Sequence, residues 1–262
     1  MKQGATNKLK ITFLGTGTST GVPVITCDCP VCTSKDPRDK RFRTSIMIEV
    51  NGRTVVVDCG PDFRIQMLRE NVQNLDAVVF THEHRDHIAG LDDVRAFNYV
   101  LNKKIDIYGT ERVMEAIRTE FPYIFSGTRY FGAPQLNIHT IDTDPFEICG
   151  IEFIPIGVMH EKLPVTGFRI GDFTYITDAS FIAPEELDKI RGSKVIVLNA
   201  LRNSKHVSHF SVSEAVEVLA KLEPEMAYLT HLSHFVGLHE QVNQRLPGFI
   251  KLAYDRMTVV VE

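Results

Sequence analysis

The stretch Thr81-His82-Glu83-His84-Arg85-Asp86-His87-Ile88-Ala89-Gly90 holds three histidines and an aspartate within six residues. Neutral imidazole and carboxylate together suit zinc, manganese or iron. The apolar run Leu75 to Phe80 just before it is short enough to be a buried strand. If the chain stays extended past Phe80, His82 and His84 point to one side, because strand side chains alternate with period two. Asp86 and His87 follow at the turn, and Ile88 to Val100 reads as a helix. One small cation rarely takes four such side chains, so the cluster points to two adjacent ions. A lone histidine would read as an exposed polar turn; this density of ligand types does not.

A second constellation is Cys27-Asp28-Cys29-Pro30-Val31-Cys32. Three thiols so close can wrap one tetrahedral zinc, with a fourth ligand from elsewhere. Such a site is closed and therefore structural. Three free thiols in a loop are the alternative, but the stretch has no apolar periodicity to bury them.

The elements that must position these groups follow from the pattern. Lys10 to Leu14 reads as a strand, followed by Gly15-Thr16-Gly17-Thr18-Ser19-Thr20-Gly21. As a dinucleotide fingerprint this loop is weak, since the third glycine falls late and no amphipathic helix follows. It is a turn that lets backbone approach the site or a phosphate, or a plain loop. Thr44 to Val50 and Arg53 to Asp58 form a hairpin through Asn51-Gly52. Asp58 either orients a ligand histidine or caps the helix starting near Pro61, whose spacing runs through Phe63, Met67 and Leu68. Cys59 is a packed thiol. Lys104 to Tyr108 is a strand and Glu111 to Phe121 a helix. Phe121 to Pro134 is aromatic and irregular, a lid or a dimer contact.

Glu147 to Ile156 reads as one strand running on to His160. Val165 to Ile170 and Phe173 to Thr177 pair through Gly171-Asp172 and end at Asp178. Pro184 to Arg191 is a helix and Lys194 to Asn199 a buried strand. A polar loop, Asn203 to Phe210, carries His206 and His209. Ser211 and Glu214 form a capping box. Met226 to Thr230 delivers His231 and His234; a helix from about Val236 to Leu246 and a strand from Arg256 to Val261 complete the chain. His239 is structural or solvent-facing, and His139, in a short polar strand, is assigned no role. Ligand-type residues recur at strand ends, which suggests an α/β sandwich with its site along one edge.

Composition bounds the rest. The 262 residues are 44% hydrophobic, enough for one substantial domain, here 1–262 with a cysteine insert at about 21–43. A net charge of −4 argues against a dedicated nucleic-acid binder. The basic run Lys35 to Arg43 also holds Asp36 and Asp39 and reads as a solvated loop. No segment approaches the ~20 apolar residues of a membrane span. A polar Met1 to Lys10 and five cysteines, an odd number, lead to the expectation of a cytoplasmic, reducing compartment.

His82-Glu83-His84-Arg85-Asp86-His87 resembles the His-x-His-x-Asp-His signature of the metallo-β-lactamase superfamily. The resemblance runs from Phe13-Leu14-Gly15-Thr16-Gly17 through Asp58 to Thr230-His231. The cysteine insert and the pair His231 and His234 look most like the phosphodiesterase branch near the phosphoribosyl 1,2-cyclic phosphate phosphodiesterases. Ribonuclease Z is a more distant relative, and its long tRNA-gripping arm has no counterpart here. The resemblance implies a metallo-β-lactamase αββα sandwich, two facing β-sheets with helices outside. It implies that His82, His84 and His160 hold one catalytic divalent ion, zinc or manganese. Asp86, His87 and His231 would hold another, and Asp178 would bridge the two. His234 would complete a structural zinc with Cys27, Cys29 and Cys32, while His209 would stand beside the scissile phosphate. The implied function is hydrolysis of a small phosphodiester, cyclic by preference, by a hydroxide activated between two metals. Homodimers are common in that family.

Three rivals belong to other classes. One is a hydrolase of the same fold acting on a lactone, a thioester or an RNA phosphodiester. Another is a di-iron redox protein, which would need a flavin domain that this chain has no room for. The third is a zinc-knuckle binding module, which leaves the His82 cluster unexplained.

Overall fold

The computed structural model describes residues 8–126 and 132–262. The first half of the chain lays down strands β1 (Leu9–Gly15), β2 (Ser45–Val50), β3 (Arg53–Val57), β4 (Ala77–Val79), β5 (Ile105–Gly109) and β6 (Leu136–Thr140). Between them run helices α1 (Phe63–Arg69), α2 (Arg85–Ile88), α3 (Arg95–Leu101), α4 (Glu111–Glu120) and α5 (Pro122–Phe125). The second half adds β7 (Phe146–Ile148), β8 (Ile151–His160), β9 (Leu163–Ile170), β10 (Phe173–Ile176), β11 (Phe181–Ile182), β12 (Val195–Asn199), β13 (Met226–Thr230) and β14 (Ile250–Leu252). Helices α6 (Pro184–Ile190), α7 (Val212–Leu222) and α8 (His239–Asn243) accompany them. The last strand, β15 (Thr258–Val261), returns to the first sheet and pairs with β1.

The first sheet has the order β15-β1-β2-β3-β4-β5-β6, and the second β11-β8-β9-β10-β12-β13-β14 with β7 on β8. In each sheet an antiparallel part leads into a parallel part: β3 to β6 in one, β10 and β12 to β14 in the other. The parallel strands run through helical crossovers, so their loops gather at one edge.

Period-two patterning decides which face meets which layer. Val55 and Val57 of β3, Val79 of β4 and Val197 of β12 point between the sheets, where they pack with Phe13, Phe153, Phe168 and Tyr175. Their neighbours Val56 and Val78 point outward under α1 and α4, against Phe63, Met67, Val113 and Ile117. Ile196 and Leu198 do the same on the other side, against Ala215 and Leu219 of α7. Three apolar layers between four structural ones make the αββα sandwich. Among the described residues no helix is long and apolar enough to cross a membrane.

Several expectations from the sequence are corrected. The helix read over Ile88 to Val100 is broken into α2, a 3-10 turn over Leu91–Val94, and α3. Gly90 lies so close to Gly60 that an added Cβ would sit 2.1 Å from the Gly60 carbonyl oxygen, and the chain bends there to make that contact. The single strand read from Glu147 is the hairpin β7–β8, turned by Cys149 and Gly150 in left-handed conformation. Leu68 is 62% exposed, so the inward face of α1 is Phe63 and Met67. The last helix is shorter than expected, and the short strands β11 and β14 carried no signal of their own. The Lys35 to Arg43 segment is not simply solvated, because Asp39 and Arg41 are buried. Arg41 donates to Thr16 Oγ1 and to the Ala253 carbonyl, and its Nη2 lies 3.2 Å from His239 Nδ1. Residues 127–131, and with them the reading of that stretch as a lid or dimer contact, lie outside the described residues.

Candidate metal centre

The ends of five strands meet at one edge of the sandwich. β3 delivers Asp58, β4 leads into His82, and β8 ends in His160. β10 leads to Asp178 and β13 to His231, while the loop after β12 brings His209. Metal-capable atoms of His82, His87 and Asp178 lie within 4.8 Å of one another, as do those of His160, Asp178 and His209. Asp178 belongs to both groups. Its Oδ2 lies 3.3 Å from His87 Nε2 and 3.1 Å from His231 Nδ1, and its Oδ1 is 3.1 Å from His209 Nε2. Asp86 Oδ2 is 3.3 Å from the same His87 nitrogen. The exposed His84 closes the outer side, with ring centroids 4.6 Å from His82 and 5.1 Å from His160. All eight residues named in the sequence for this centre therefore converge. His209 stands closer to the other candidate ligands than a purely substrate-side residue need do, and His206 stands behind it, 3.4 Å away between Nδ1 atoms.

Neighbouring groups fix which imidazole nitrogen faces the cluster. Asp58 Oδ2 accepts from His87 Nδ1 at 2.7 Å and from Thr81 Oγ1 at 2.8 Å, and Oδ1 accepts from the Thr81 amide. Asp58 thus orients a histidine, the first of the two sequence readings. With its own proton committed to Asp58, the Thr81 hydroxyl is left to accept from His82 Nδ1, 3.0 Å away. His160 Nδ1 donates to the Ser208 carbonyl at 2.6 Å. His82, His87 and His160 therefore all turn Nε2 inward. His231 is the reverse: its Nε2 is anchored 3.1 Å from Thr18 Oγ1, so Nδ1 faces Asp178. Thr18 is the contribution of the glycine-rich loop to the centre among the described residues. The loop itself is held by Thr18 N–H on the Leu232 carbonyl and Leu232 N–H on the Thr16 carbonyl. Asn199 clamps the Asp178 turn by bonding both backbone groups of Ala179, at 2.7 and 2.9 Å. Thr18 and Asn199 were not legible as site residues, since threonine in a loop and asparagine at a strand end are common everywhere.

Electrostatics favour a cation here. Burial holds His82 well below the usual imidazole range and takes His231 down to about 4, so both offer lone pairs at neutral pH. Burial opposes charge on Asp178 too, yet His231 and His87 hold its carboxyl well below the ordinary value. His87 goes the other way: against its burial, Asp86, Asp58 and Asp178 push it well up. A proton on His87 Nε2 occupies, among these carboxylates, the place of a positive ion. The buried Nε2 atoms of His82 and His87 have no hydrogen-bond partner among the described residues. Orphaned buried nitrogens aimed at carboxylates fit divalent metal.

The cysteine site fits a tetrahedral ion in the same way. His234 Nδ1 lies 3.3, 3.5 and 3.4 Å from the sulfurs of Cys27, Cys29 and Cys32. A tetrahedron with Zn–S of ~2.3 Å and Zn–N of ~2.0–2.1 Å requires a sulfur–nitrogen separation of about 3.5 Å. The Cys32 backbone N–H, bonded to the Cys29 sulfur, takes that thiol down to about 6, towards the thiolate a metal needs.

A recess of about 370 Å³ opens directly on the cluster, lined by His84, Arg112, His160, Glu161, Lys162, Leu163 and Ser208.

A family model described as a beta-lactamase superfamily domain matches residues 53–232. A crystal structure described as a new diphosphatase from the PhnP family is 38% identical, with a TM-score of 0.91 over 97% of this chain and 98% of that one. An octanoyltransferase of Porphyromonas gingivalis is 36% identical over 257 residues, 97% of this chain and 52% of that protein. The chain thus spans about half the length of that curated relative. A ribonuclease Z of Clostridium acetobutylicum is 36% identical over 62 residues, 23% of this chain and 20% of that enzyme. The matched segment contains the His82 motif and reaches past His231, and the full-length likeness includes the two sheets that bring them together, so the chain belongs to the metallo-β-lactamase superfamily as a PhnP-like hydrolase.

Proposed function

We propose that the protein is a metal-dependent phosphodiesterase acting on a small diester, with a five-membered cyclic phosphate as the preferred form. The observation that carries this reading is the sharing of Asp178 between two adjacent ligand groups. In the proposed arrangement His82, His84 and His160 would hold one ion, Asp86, His87 and His231 the other, and Asp178 would serve both. Cys27, Cys29, Cys32 and His234 would hold a structural zinc. A pair of divalent ions in such a centre binds phosphoryl oxygens and lowers the pKa of bound water towards ~7.

The chain's own residues do the rest. Asp58, Thr81, Ser208 and Thr18 hold the imidazoles in fixed orientations. Hydrolysis breaks one P–O bond and leaves an alkoxide that needs a proton. His209, with Nε2 beside Asp178 and Nδ1 3.0 Å from Ser208 Oγ, is the imidazole placed to carry one. Opening a five-membered ring releases strain, and a compact ring suits a site with no binding arm. A phosphomonoester, with nearly two charges, presents a more electron-rich phosphorus and binds as an inhibitor. A second reading is cleavage of a diphosphate linkage by the same groups, supported by the PhnP-family diphosphatase that is 38% identical over the full chain.

The test is a substrate panel with the metal-replete protein. Bis(p-nitrophenyl) phosphate and 1,2- or 2′,3′-cyclic phosphates should turn over at least about tenfold faster than p-nitrophenyl phosphate, and chelation should abolish the activity. Elemental analysis should approach about three metals per chain, two catalytic and one structural. Preference for a diphosphate diester would select the second reading. Efficient lactone or thioester hydrolysis without diester activity would overturn both.

A further inference from the structure

Asp178 can serve two ions only if each carboxylate oxygen keeps to its own side. Its Oδ2 faces His87 Nε2 at 3.3 Å and His231 Nδ1 at 3.1 Å. Its Oδ1 faces His209 Nε2 at 3.1 Å, in the group that also holds His160. The χ2 torsion of an aspartate is soft, so an unheld carboxylate turns, exchanges its oxygens or gives both to one ion. The left-handed turn at Asp178 and the Asn199 bonds to Ala179 hold the backbone, and neither touches the carboxylate.

Thr177 does touch it. This residue follows β10, is fully buried, and donates its hydroxyl to Asp178 Oδ2 at 2.6 Å. The same hydroxyl oxygen lies 3.5 Å from His231 Nδ1. The imidazoles of His87, His209 and His231 make the other contacts of this carboxylate among the described residues. The nitrogens of His87 and His231 that face it hold a metal only as lone pairs, without a proton. The Thr177 hydroxyl is therefore the donor to Oδ2 that is kept when those nitrogens bind an ion. A β-branched side chain, stiff at χ1, carries that hydroxyl in few orientations. Tyr175, two residues earlier, is also fully buried, and its hydroxyl has no hydrogen-bond partner among the described residues.

We propose that Thr177 is the positioning residue that lets Asp178 serve both ligand groups: its hydroxyl holds Oδ2 towards His87 and His231 and leaves Oδ1 to the His160 side. The inference rests on the two-ion arrangement proposed above and adds the group that enforces it. Without the hydroxyl, one ion draws in both oxygens and the place for the other loses a ligand.

The experiment titrates Mn²⁺ into protein stripped of its catalytic ions, with zinc kept at the cysteines. Electron paramagnetic resonance reads the free Mn²⁺ and the coupled spectrum of two ions that share a carboxylate. Wild type should bind two Mn²⁺ and show the coupled spectrum. Thr177→Val should weaken the second ion about 10–100-fold, the usual size for a lost outer partner, and leave the first within about threefold. Thr177→Ser, which restores the hydroxyl, should recover the second ion to within about threefold of wild type. If the valine variant does not fold, Thr177→Ala against Thr177→Ser gives the same comparison. Tyr175→Phe removes a buried hydroxyl that makes no bond to Asp178, and should keep both ions. Two ions bound unchanged in Thr177→Val, equal weakening of both, no recovery with serine, or an equal loss in Tyr175→Phe would each overturn the role of Thr177 alone. A wild type that binds a single Mn²⁺ would overturn the two-ion arrangement and this inference with it.

Discussion

Asp58, Asp178 and His231 all sit in the left-handed backbone region, at φ of 64°, 55° and 56°. Each non-glycine residue there costs about 1 kcal/mol or more, and such strain persists where surrounding bonds hold it. Each of the three closes a strand, where a sharp turn throws the side chain over the sheet edge and into the cluster. Two predictions belong at this scale. Thr18→Val keeps the side-chain shape and removes the anchor on His231 Nε2. Loss of such an outer partner typically weakens metal binding about 10–100-fold, so chelator competition should register that drop with little change in thermal unfolding. Unchanged metal affinity would remove Thr18 from the centre. For His209→Ala, the proton-carrying role predicts a fall in kcat of about 10²-fold or more with metal content intact. Loss of a catalytic ion from that variant would instead make His209 a ligand, a role its 3.1 Å distance to Asp178 also allows.

At the scale of elements, the segment Thr230 to His234 ties two sites together. It leaves β13, presents His231 to the cluster, bonds the glycine-rich loop through Leu232, and presents His234 to the three cysteines. The cysteine segment itself has little apolar support: Val22, Val31 and Cys32 form a small cluster with Val24 and Leu238. A closed metal site would therefore supply much of its stability. Cys32→Ser is expected to lower the unfolding temperature by about 5 °C or more, as calorimetry would show, and to affect residual kcat proportionally less. The reverse pattern, stable protein with abolished turnover, would exchange the proposed roles of the two sites.

For the molecule as a whole, acid stability follows from a buried network around His239. His239 is 1% exposed, its ring nitrogens facing Arg41 Nη2 at 3.2 Å and Asn243 Nδ2 at 2.9 Å. Burial, then the Arg41 charge, takes it from 6.5 down to about 4. Between those values the unfolded chain binds a proton that the folded chain refuses, so stability rises with pH across this window. It falls as pH drops below about 6.5 and levels off below about 4. The contribution lost between pH 7 and pH 5 is about 2 kcal/mol. Urea unfolding of metal-replete wild type and His239→Gln at the two pH values should differ in slope by roughly that amount. Equal slopes would place the acid sensitivity elsewhere.

Local patterns can be read from residue order. The valines of Arg53 to Val57 and Ala77 to Val79 alternate between two apolar layers because a strand has period two, and that alternation is readable from residue order alone. Asn51-Gly52 specified its turn through backbone φ of 52° and 74°, and Ser211 with Glu214 specified the start of α7. The His82 motif and the three cysteines were legible because several ligand types fall within a few residues. Long-range relations, by contrast, come from the fold. Which strand ends meet at the cluster depends on strand order and crossovers, and no single residue type encodes that order. Likewise the nitrogen that each histidine presents depends on a partner as distant as Thr18 is from His231. Gly90 bends a helix-like stretch only because Gly60 lies against it, and Arg41 is buried in a run that reads as polar because Thr16, Ala253 and His239 close around it. Arg112 and Lys162 are ordinary surface residues in the sequence; the second sheet's β8–β9 turn, set beside the first sheet's α4, makes them neighbours of one recess.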